Sequence, residues 1–503
     1  MTECRPFVRS RIGLSRALTG LVALAFAAGC AVGPDYVEPE IQTPDIWQSS
    51  LVEGIQIGES GFQTWWTEFS DPTLTNLIER ATEGSLDLRL ALARIDESAA
   101  RRGISRGEWF PSVDSAVEYQ RTRTSKGTNP TGIPGGSRTD DFYSAGVSAS
   151  WEIDFFGRIR RSVESASTAF EASIEDYRDV LVVLYAEIGT SYVNVRTLQN
   201  RITYTQRNID SQRETLEVVR ARNGAGLVPA LDVRQAEENL GSTESTLPRL
   251  RQQLVQEINR LSVLLGLPPS ALHVELSNSA PIPKLEQKQI LTGLPHDLLR
   301  QRPDVRAAER QLASQTAQIG VATADLYPRF SLIGTFSVSA TDFANWGEWA
   351  SRGFSFGPAV SWNIFNGGSI RSNIRVQDAL TAQALTTYEQ TVLESLEDVE
   401  SSMIAFIEEQ KRRDALGRSA KAAEEAVGFV NTLYRTGLTD FQNVLDTERS
   451  LFERQDQYAE SRGIVSQNAI AVYRALGGGW QGETEDTVHL VDGSAEAQPT
   501  SRQ

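Results

Sequence analysis

The stretch that decides the fold occurs twice: residues 146–160 read GVSASWEIDFFGRIR, and residues 357–371 read GPAVSWNIFNGGSIR. Glycine, tryptophan, isoleucine and arginine recur between them at an offset of 211 residues (357 − 146). The same offset relates a further set of residues: Gly226, Leu227, Val233, Glu237 and Leu240 correspond to Gly437, Leu438, Val444, Glu448 and Leu451. A constant offset over so long a stretch indicates a tandem duplication of a unit of about 200 residues.

Each unit contains two runs in which apolar and polar residues alternate. The apolar members are Val113, Val117 and Tyr119, then Tyr143, Val147, Trp151 and Ile153, then Phe330, Leu332, Phe336 and Val338, then Phe354, Phe356, Val360, Trp362 and Ile364. This period of two predicts four β-strands. Turn-rich loops at 124–140 and 341–353 separate them, and we expect these loops outside the cell. Aromatic residues near the strand ends favour membrane strands, and two hairpins on a soluble core are the alternative.

Four strands are too few to close a barrel, since known single-chain barrels begin at about eight strands. An open sheet edge is not tolerated in lipid because its backbone groups would lack hydrogen-bond partners. If the strands lie in the membrane, several copies of the chain must therefore share one barrel.

Long helices follow the strands. Apolar residues spaced three or four apart form a coiled-coil seam: Ile174, Tyr177, Leu181, Leu184, Ile188, Tyr192, Val195 and Leu198. Uninterrupted patterns over about 158–221 and 369–435 predict helices of roughly 100 Å at ~1.5 Å per residue. Each ends at a glycine-containing turn followed by a return helix. Pro248 interrupts the first return helix and predicts a break there.

The first 29 residues have the basic start, short apolar run and small terminal residues of a secretory signal peptide. Cys30 directly follows and resembles a lipobox cysteine, which implies that it carries lipid and that the protein is anchored in the outer membrane. The alternative is a signal peptide that is cleaved at a nearby position, in which case Cys30 has no role in lipid attachment. Cys4 leaves with the signal peptide.

Composition excludes several classes of function. With 49 basic and 65 acidic side chains, the net charge of −16 argues against a nucleic-acid binder. Three histidines and two cysteines argue against a metal centre, and no group of residues combines a nucleophile, a base and an orienting partner. No phosphate-binding loop is present to power transport. We expect neither an enzyme nor a cofactor.

The predicted organisation has ten segments. They are 1–29 signal peptide, 30–72 lipidated extended segment, 73–110 helical (repeat 1), 111–155 β-hairpin 1, 156–266 periplasmic helices (repeat 1), 267–302 connector, 303–327 helical (repeat 2), 328–365 β-hairpin 2, 366–478 periplasmic helices (repeat 2) and 479–503 disordered acidic tail.

Several motifs resemble those of the outer membrane efflux proteins, the TolC-like family, and in particular its lipidated branch. They are Cys30–Tyr36, Trp65-Trp66 with Asp71–Leu74, Asn259–Leu261 with Leu264–Gly266, Arg302–Val305, Trp362–Gly368 and Tyr434–Asp446. The resemblance implies a fold of α-helices and transmembrane β-strands in a homotrimer. Twelve strands, four per chain, would form a shared barrel in the outer membrane, continued by a periplasmic coiled-coil barrel of helices.

Carried over by position, the resemblance also implies a gate at the periplasmic end. Tyr434 and Asp232 match a tyrosine–aspartate link, and Asp446 matches an acidic ring. The sequence departs from the family at Asn443 and Thr439, where some members have a second aspartate and a linking arginine. Alternatively, Asp446 is a solvated surface charge, and Tyr434 and Asp232 serve packing and a local helix cap.

The function implied is a passive exit duct of a tripartite efflux system. It would receive substrates from a periplasmic adaptor protein and an inner-membrane pump of the RND type. Two alternatives are the outer membrane component of a protein secretion system and a structural coiled-coil lipoprotein.

Overall fold

The structure is a computed structural model. It describes residues 31–41, 43–44, 46–47, 55–57, 62–123, 125, 139–285, 290–292, 295 and 301–481. In chain order the elements are β1 (Ile55–Ile57), α1 (Pro72–Gly84), α2 (Leu86–Gly107), β2 (Ser112–Arg123), β3 (Thr139–Ile153), α3 (Arg158–Gly224), α4 (Ala230–Leu264), β4 (Ile290–Thr292), α5 (Pro303–Ala324), β5 (Arg329–Ala340), β6 (Arg352–Ser361), α6 (Ser369–Thr436) and α7 (Phe441–Ala475). Short 3₁₀ helices occupy Phe62–Phe69, Phe343–Asn345 and Trp349–Ser351.

The chain divides into two compact units. The first comprises residues 1–39, 97–172 and 309–387, and the second comprises 40–96, 173–308 and 388–503. Each unit therefore combines segments from both halves of the duplicated sequence.

The first unit is built on a four-stranded antiparallel sheet in the order β2-β3-β5-β6. All four strands predicted from the alternation are present. Val147 of β3, for example, pairs with Ser115 of β2 and Phe336 of β5. Since β2 and β6 each have a single partner strand among the described residues, the sheet has two open edges.

The outer strands are strongly exposed. All 12 residues of β2 are exposed, including Val117 at 82%. On β6, Phe354 and Phe356 are 77% and 82% exposed. An apolar surface this large on an isolated chain marks a site that lipid or another copy must cover.

The predicted extent of the last strand is wrong at its end. β6 stops at Ser361, so Trp362 and Ile364 lie beyond it. Ser361 pairs with Arg329, the first residue of β5, and no strand residue remains opposite Trp362. The indole of Trp362 instead donates to the Leu326 carbonyl at 3.0 Å.

The N-terminal segment has no helix or strand over 31–41, and residues 62–69, within the segment predicted as extended, form a 3₁₀ helix. Burial of aromatic rings explains that difference: Trp65 is 1% exposed and stacks on Tyr473 with ring centroids 5.7 Å apart. Farther upstream, Gly33 lies against Gly320, and a Cβ at Gly33 would lie 2.4 Å from the Gly320 Cα.

The second unit contains the antiparallel pairs of helices that follow each hairpin. Leu181, Ile188 and Tyr192 of the predicted seam are fully buried. The break predicted at Pro248 is wrong, because α4 continues through it from Ala230 to Leu264. Proline removes one backbone donor, but the buried residues Thr243 and Leu250 keep the turns on either side packed.

None of the described helices has an apolar stretch that is long enough to cross a lipid bilayer.

Candidate functional site at the two helical turns

Two turns connect the long helices of the second unit: turn 1 (residues 222–229) joins α3 to α4, and turn 2 (residues 433–440) joins α6 to α7. In turn 1 the Leu227 N–H donates to the Arg222 carbonyl and the Gly226 N–H to the Asn223 carbonyl, both at 2.9 Å. Turn 2 repeats this pair 211 residues later, from Leu438 to Leu433 at 2.9 Å and from Gly437 to Tyr434 at 3.0 Å.

A glycine with positive φ closes each helix, with φ of +70° at Gly226 and +79° at Gly437. This left-handed conformation strongly favours glycine, and it allows the last carbonyls of a helix to find donors. The predicted glycine-containing turns are therefore confirmed, and they share one backbone structure.

A hydrophobic cluster beside the turns, here called the tip core, includes side chains from all four helices. Its buried members are Leu216, Val219, Ala236, Tyr434, Phe441, Val444 and Leu445. The Tyr434 and Phe441 ring centroids lie 5.5 Å apart. The tip core therefore ties two helical hairpins together at the end of the helices: hairpin 1, formed by α3 and α4, and hairpin 2, formed by α6 and α7.

Tyr434 and Asp232 lie near each other, but no hydrogen bond links them. Tyr434 is only 3% exposed, and its buried hydroxyl has no hydrogen-bond partner in the described part of the chain. Burial raises the pKa of Tyr434, the Arg222 charge opposes this rise, and the Asp232 charge adds to it. Asp232 occupies the first turn of α4. The tyrosine–aspartate link stays a prediction.

Asp446 lies in the second turn of α7 and is exposed. Its carboxylate accepts a hydrogen bond from the Gln442 amide at 3.0 Å. Exposure near turn 2 is compatible with both an acidic ring and a solvated surface charge.

Arg222 is the residue that the sequence did not reveal. Its Nη1 donates to the Tyr434 carbonyl, and its guanidinium carbon lies 4.7 Å from the centre of the Tyr434 ring. These contacts span 212 residues and join turn 1 to turn 2. One sequence signal could have drawn attention to Arg222: the repeat is not kept at this position, since Leu433 is its equivalent in the second half.

Asp232, in the first turn of α4, is close enough to Arg222 and to Asp440 for both charges to act on it. Burial and the charge of Asp440 raise the pKa of Asp232, while the charge of Arg222 lowers it. Asp440 caps α7, its carboxylate accepting from the Asn443 N–H at 3.1 Å. Asp232 thus has a like charge from turn 2 and an opposite charge from turn 1 in its surroundings.

Glu237 and Glu448, equivalent by the repeat, have opposite surroundings. Glu448 is 4% exposed, Thr215 donates to its carboxylate at 2.7 Å, and burial raises its pKa. Glu237 accepts from Arg220 at 2.8 Å and from Arg234 at 2.7 Å, and these hydrogen bonds lower its pKa.

Other predicted features lie wholly or partly outside the described residues. Cys30, most of the loop 124–140 and the segment after residue 481 belong to this group. Within the residues that the structure covers, no cluster of three or more His, Cys, Asp or Glu side chains is placed to hold a metal ion.

Comparison with known proteins identifies the architecture. Over residues 77–267 and 294–478 the chain matches the family model "Outer membrane efflux protein". It is 30% identical over 471 residues to the solvent efflux pump outer membrane protein SrpC of Pseudomonas putida, covering 92% of this chain and 97% of that protein. It is 31% identical over 446 residues to the pyoverdine export outer membrane protein OpmQ of P. putida KT2440, covering 88% and 93%.

The solved outer-membrane channel OprN matches with a TM-score of 0.82 and 34% identity, covering 90% of this chain and all of that one. Long helical hairpins, each preceded in the chain by two strands of one antiparallel sheet, thus define a TolC-like outer membrane channel protein. The chain belongs to the outer membrane efflux protein family, and its function is that of an outer membrane exit duct in efflux.

Proposed function

We propose that three copies of the chain assemble into one duct, with a twelve-stranded barrel in the outer membrane and the long helices forming a tube in the periplasm. The observation that carries this proposal is the pair of open edges on β2 and β6. Unpaired backbone groups are not tolerated in lipid, so each β6 must pair with β2 of the next copy. Twelve strands fall within the range of known membrane barrels.

Transport through the duct is passive in this proposal. A periplasmic adaptor and an inner-membrane pump of the RND type supply the substrate and the energy, because the sequence carries no phosphate-binding loop. The chain has no catalytic role. The relatives named for solvent efflux and for pyoverdine export differ in cargo, so the family leaves the substrate of this chain open.

Asp446 forms the acidic constriction of the proposed duct. Three carboxylates around a narrow pore repel one another, attract cations and disfavour anions. Support comes from the exposure of Asp446 near turn 2, where its carboxylate accepts a hydrogen bond from Gln442.

Conductance in a planar bilayer tests the duct and the constriction together. We expect the wild-type trimer to pass small, cation-preferring current steps, and Asp446→Ala to lose much of this preference. Glu453→Ala is the matched control, since Glu453 lies one heptad farther along α7 and likewise accepts from a glutamine, Gln457, at 2.9 Å. An equal loss of cation preference in both variants would contradict the constriction at Asp446. A wild type that never conducts would contradict the proposed duct.

Cys30 anchors the proposed protein through lipid, which is supported by its position directly after the predicted signal peptide; it is also the one cysteine of the sequence outside residues 1–29. Labelling of growing cells with radioactive palmitate tests this anchor. Wild type and Cys4→Ser should incorporate label and Cys30→Ser should not. Label in the Cys30→Ser protein would contradict the assignment.

A further inference from the structure

A short segment at the start of the described chain is fixed to the first unit. Residues 31–36, here called the N-terminal strap, form neither a helix nor a strand. The Val32 N–H donates to the Phe156 carbonyl at 3.1 Å, and the Tyr36 hydroxyl donates to the Glu309 carboxylate at 2.9 Å. Both ends of the strap are therefore hydrogen-bonded to the first unit.

One buried arginine binds the middle of the strap. Arg161, in the first turn of α3, is 4% exposed. Its guanidinium donates to the Asp35 carboxylate at 2.6 Å and to the Val32 carbonyl at 3.3 Å. It also donates to Glu164 of its own helix at 2.8 Å. A buried charge is costly unless its donors are satisfied, so Arg161 depends on the strap for part of its hydrogen bonding.

Three glycines allow the strap to approach the helices closely. Gly33 has a φ of +94° and lies against Gly320 inside α5. A Cβ on Gly320 would lie 2.9 Å from the Val32 carbonyl oxygen, and a Cβ on Gly157 would lie 2.6 Å from the Ala31 Cα. Glycine weakens the interior of a helix, and the close approach of the strap explains why Gly320 is there.

The strap begins at the end of the sheet that faces the periplasm in the proposed duct. The loops after β2 and β5 are expected outside the cell, so β3 ends at its periplasmic side with Ile153, shortly before Gly157. Ala31, which lies against Gly157, is bonded to Cys30, and consecutive Cα atoms are ~3.8 Å apart. An acyl chain on Cys30 would therefore start at this end of the sheet.

Four aromatic rings lie beside the start of the strap. They are here called the aromatic patch and are Phe155, Phe156, Tyr327 and Phe330. The Phe156 and Tyr327 rings stack with centroids 4.6 Å apart, and Phe155 lies 5.1 Å from Phe156 and 5.7 Å from Phe330. All four keep part of their surface accessible, and Tyr327 is 39% exposed. Such a surface favours contact with an acyl chain, because both are apolar.

The second half of the sequence keeps one glycine of this arrangement and lacks the rest. Gly368 corresponds to Gly157 and has a φ of +86°, but a Cβ there would meet nothing within 4 Å. The equivalents of the buried arginine and of the two adjacent phenylalanines are Ser372, Asn366 and Gly367. The arginine and the ring pair are thus present only in the half that binds the strap.

We propose that the strap and the aromatic patch form a docking site for the fatty acyl chains of Cys30. Arg161 is a positioning residue that fixes the strap, and the aromatic patch contacts the part of the acyl chains nearest to the cysteine. The chains therefore enter the membrane directly beside the barrel. This inference rests on the proposed function, because it takes Cys30 as acylated and the sheet as membrane-spanning.

Photocross-linking from the acyl chain tests the site in assembled trimers. Cells would be fed a palmitate analogue that carries a diazirine in the half of the chain next to the carboxyl group. Purified trimers would then be irradiated, digested and analysed by mass spectrometry. We expect most cross-links within the protein to fall in peptides that contain residues 155–156 or 327–330.

Two substitutions in separate parts of the site should have the same effect. Gly33→Ala places a Cβ against Gly320, and Arg161→Gln removes the charge that Asp35 binds. Each should lower the yield of these cross-links several-fold, while incorporation of palmitate stays at the wild-type level. A merely structural role of Arg161 would lower the amount of trimer without moving the cross-links in the trimers that form.

Each substitution has a matched control nearby. Val37→Ala changes a residue that is 79% exposed directly after the strap, and Arg160→Gln removes the same charge from an exposed neighbour of Arg161. Both should cross-link as wild type does. If Arg161→Gln forms no trimers, Asp35→Asn and Gly33→Ala decide, and wild-type cross-linking in both would overturn the proposal.

The outcomes distinguish this inference from the proposed function. Palmitate on Cys30 without cross-links to the aromatic patch in the wild type overturns the docking site alone. Unchanged cross-linking in both Gly33→Ala and Arg161→Gln overturns the role of the strap. A wild type that incorporates no palmitate overturns both the lipid anchor and its docking site.

Discussion

Turn 1 and turn 2 close with the same pair of backbone hydrogen bonds, 211 residues apart, but their side chains differ. Both hairpins contribute to the tip core, but hairpin 2 supplies its two aromatic rings, Tyr434 and Phe441, and hairpin 1 supplies the cation that contacts Tyr434. The difference shows which feature the duplication preserved. A glycine with positive φ fixes each backbone, so the surrounding side chains could diverge and give the two hairpins complementary roles.

The largest effect is expected where the repeat places a buried and an exposed residue at equivalent positions. Leu445 is 1% exposed, while its counterpart Arg234 has a side chain that is 78% exposed. Leu445→Ala should destabilise the protein by about 3 kcal/mol, because it removes buried contacts and leaves a cavity. Thermal unfolding followed by circular dichroism measures this loss. Arg234→Ala should unfold at the same temperature as wild type. Equal losses of stability in the Leu445 and Arg234 variants would contradict the different roles assigned to the two hairpins.

A smaller and equal effect is expected at the two glycines. Gly226→Ala and Gly437→Ala should each cost about 1–2 kcal/mol, since a Cβ is disfavoured at positive φ. Crowding adds little, because a Cβ meets nothing within 4 Å at Gly226 and only Arg222 Nη2 at Gly437.

Gly428, inside α6 and also unobstructed, serves as the control for the two glycine variants. There alanine should increase stability, because it favours the helix without strain. Clearly unequal losses at Gly226 and Gly437 would refute the equivalence of the two turns.

The smallest effect is a difference in pH dependence between Glu448 and Glu237. Burial raises the pKa of Glu448 in the folded protein, so its protonation favours folding, and stability falls as the pH rises through that raised pKa. Glu448→Gln should therefore unfold at a higher temperature than wild type at pH 8, with the advantage fading in acid.

Glu237 should behave in the opposite way. Hydrogen bonds from Arg220 and Arg234 lower its pKa, so its stabilising contribution is present above the ordinary pKa and is lost as the pH falls through the lowered one. Glu237→Gln should lose a little stability at neutral pH. Parallel pH profiles of unfolding temperature for the two variants would contradict the assigned surroundings.

The sequence predicted the sheet and the turns because both depend on local patterns. Alternation of apolar residues identified all four strands, and glycines at a fixed offset identified both turns. The errors arose where the end of an element depends on the elements packed against it. β6 ends at Ser361 because its partner strand β5 begins at Arg329. α4 continues through Pro248 because the helical turns on either side of the proline are packed.

The connection through Arg222 could not be predicted for the same reason. An arginine in the last turn of a helix is an ordinary feature, since it complements the helix dipole. Its partners are a carbonyl and a ring 212 residues away, and no local pattern indicates them. Glu448 is similar, because only the fold shows that it is buried while its counterpart Glu237 is paired with arginines.

Disulfide cross-linking in the outer membrane tests most directly whether neighbouring copies share one barrel. Cysteine would replace Ala359 on β6 together with Ser115, Ala116 or Val117 in turn on β2, and Ala145 on the inner strand β3 would be the control. At least one β2 position should give covalent trimers that revert to monomers on reduction, and Ala145→Cys should give none. Monomers alone from every pair would contradict the shared barrel.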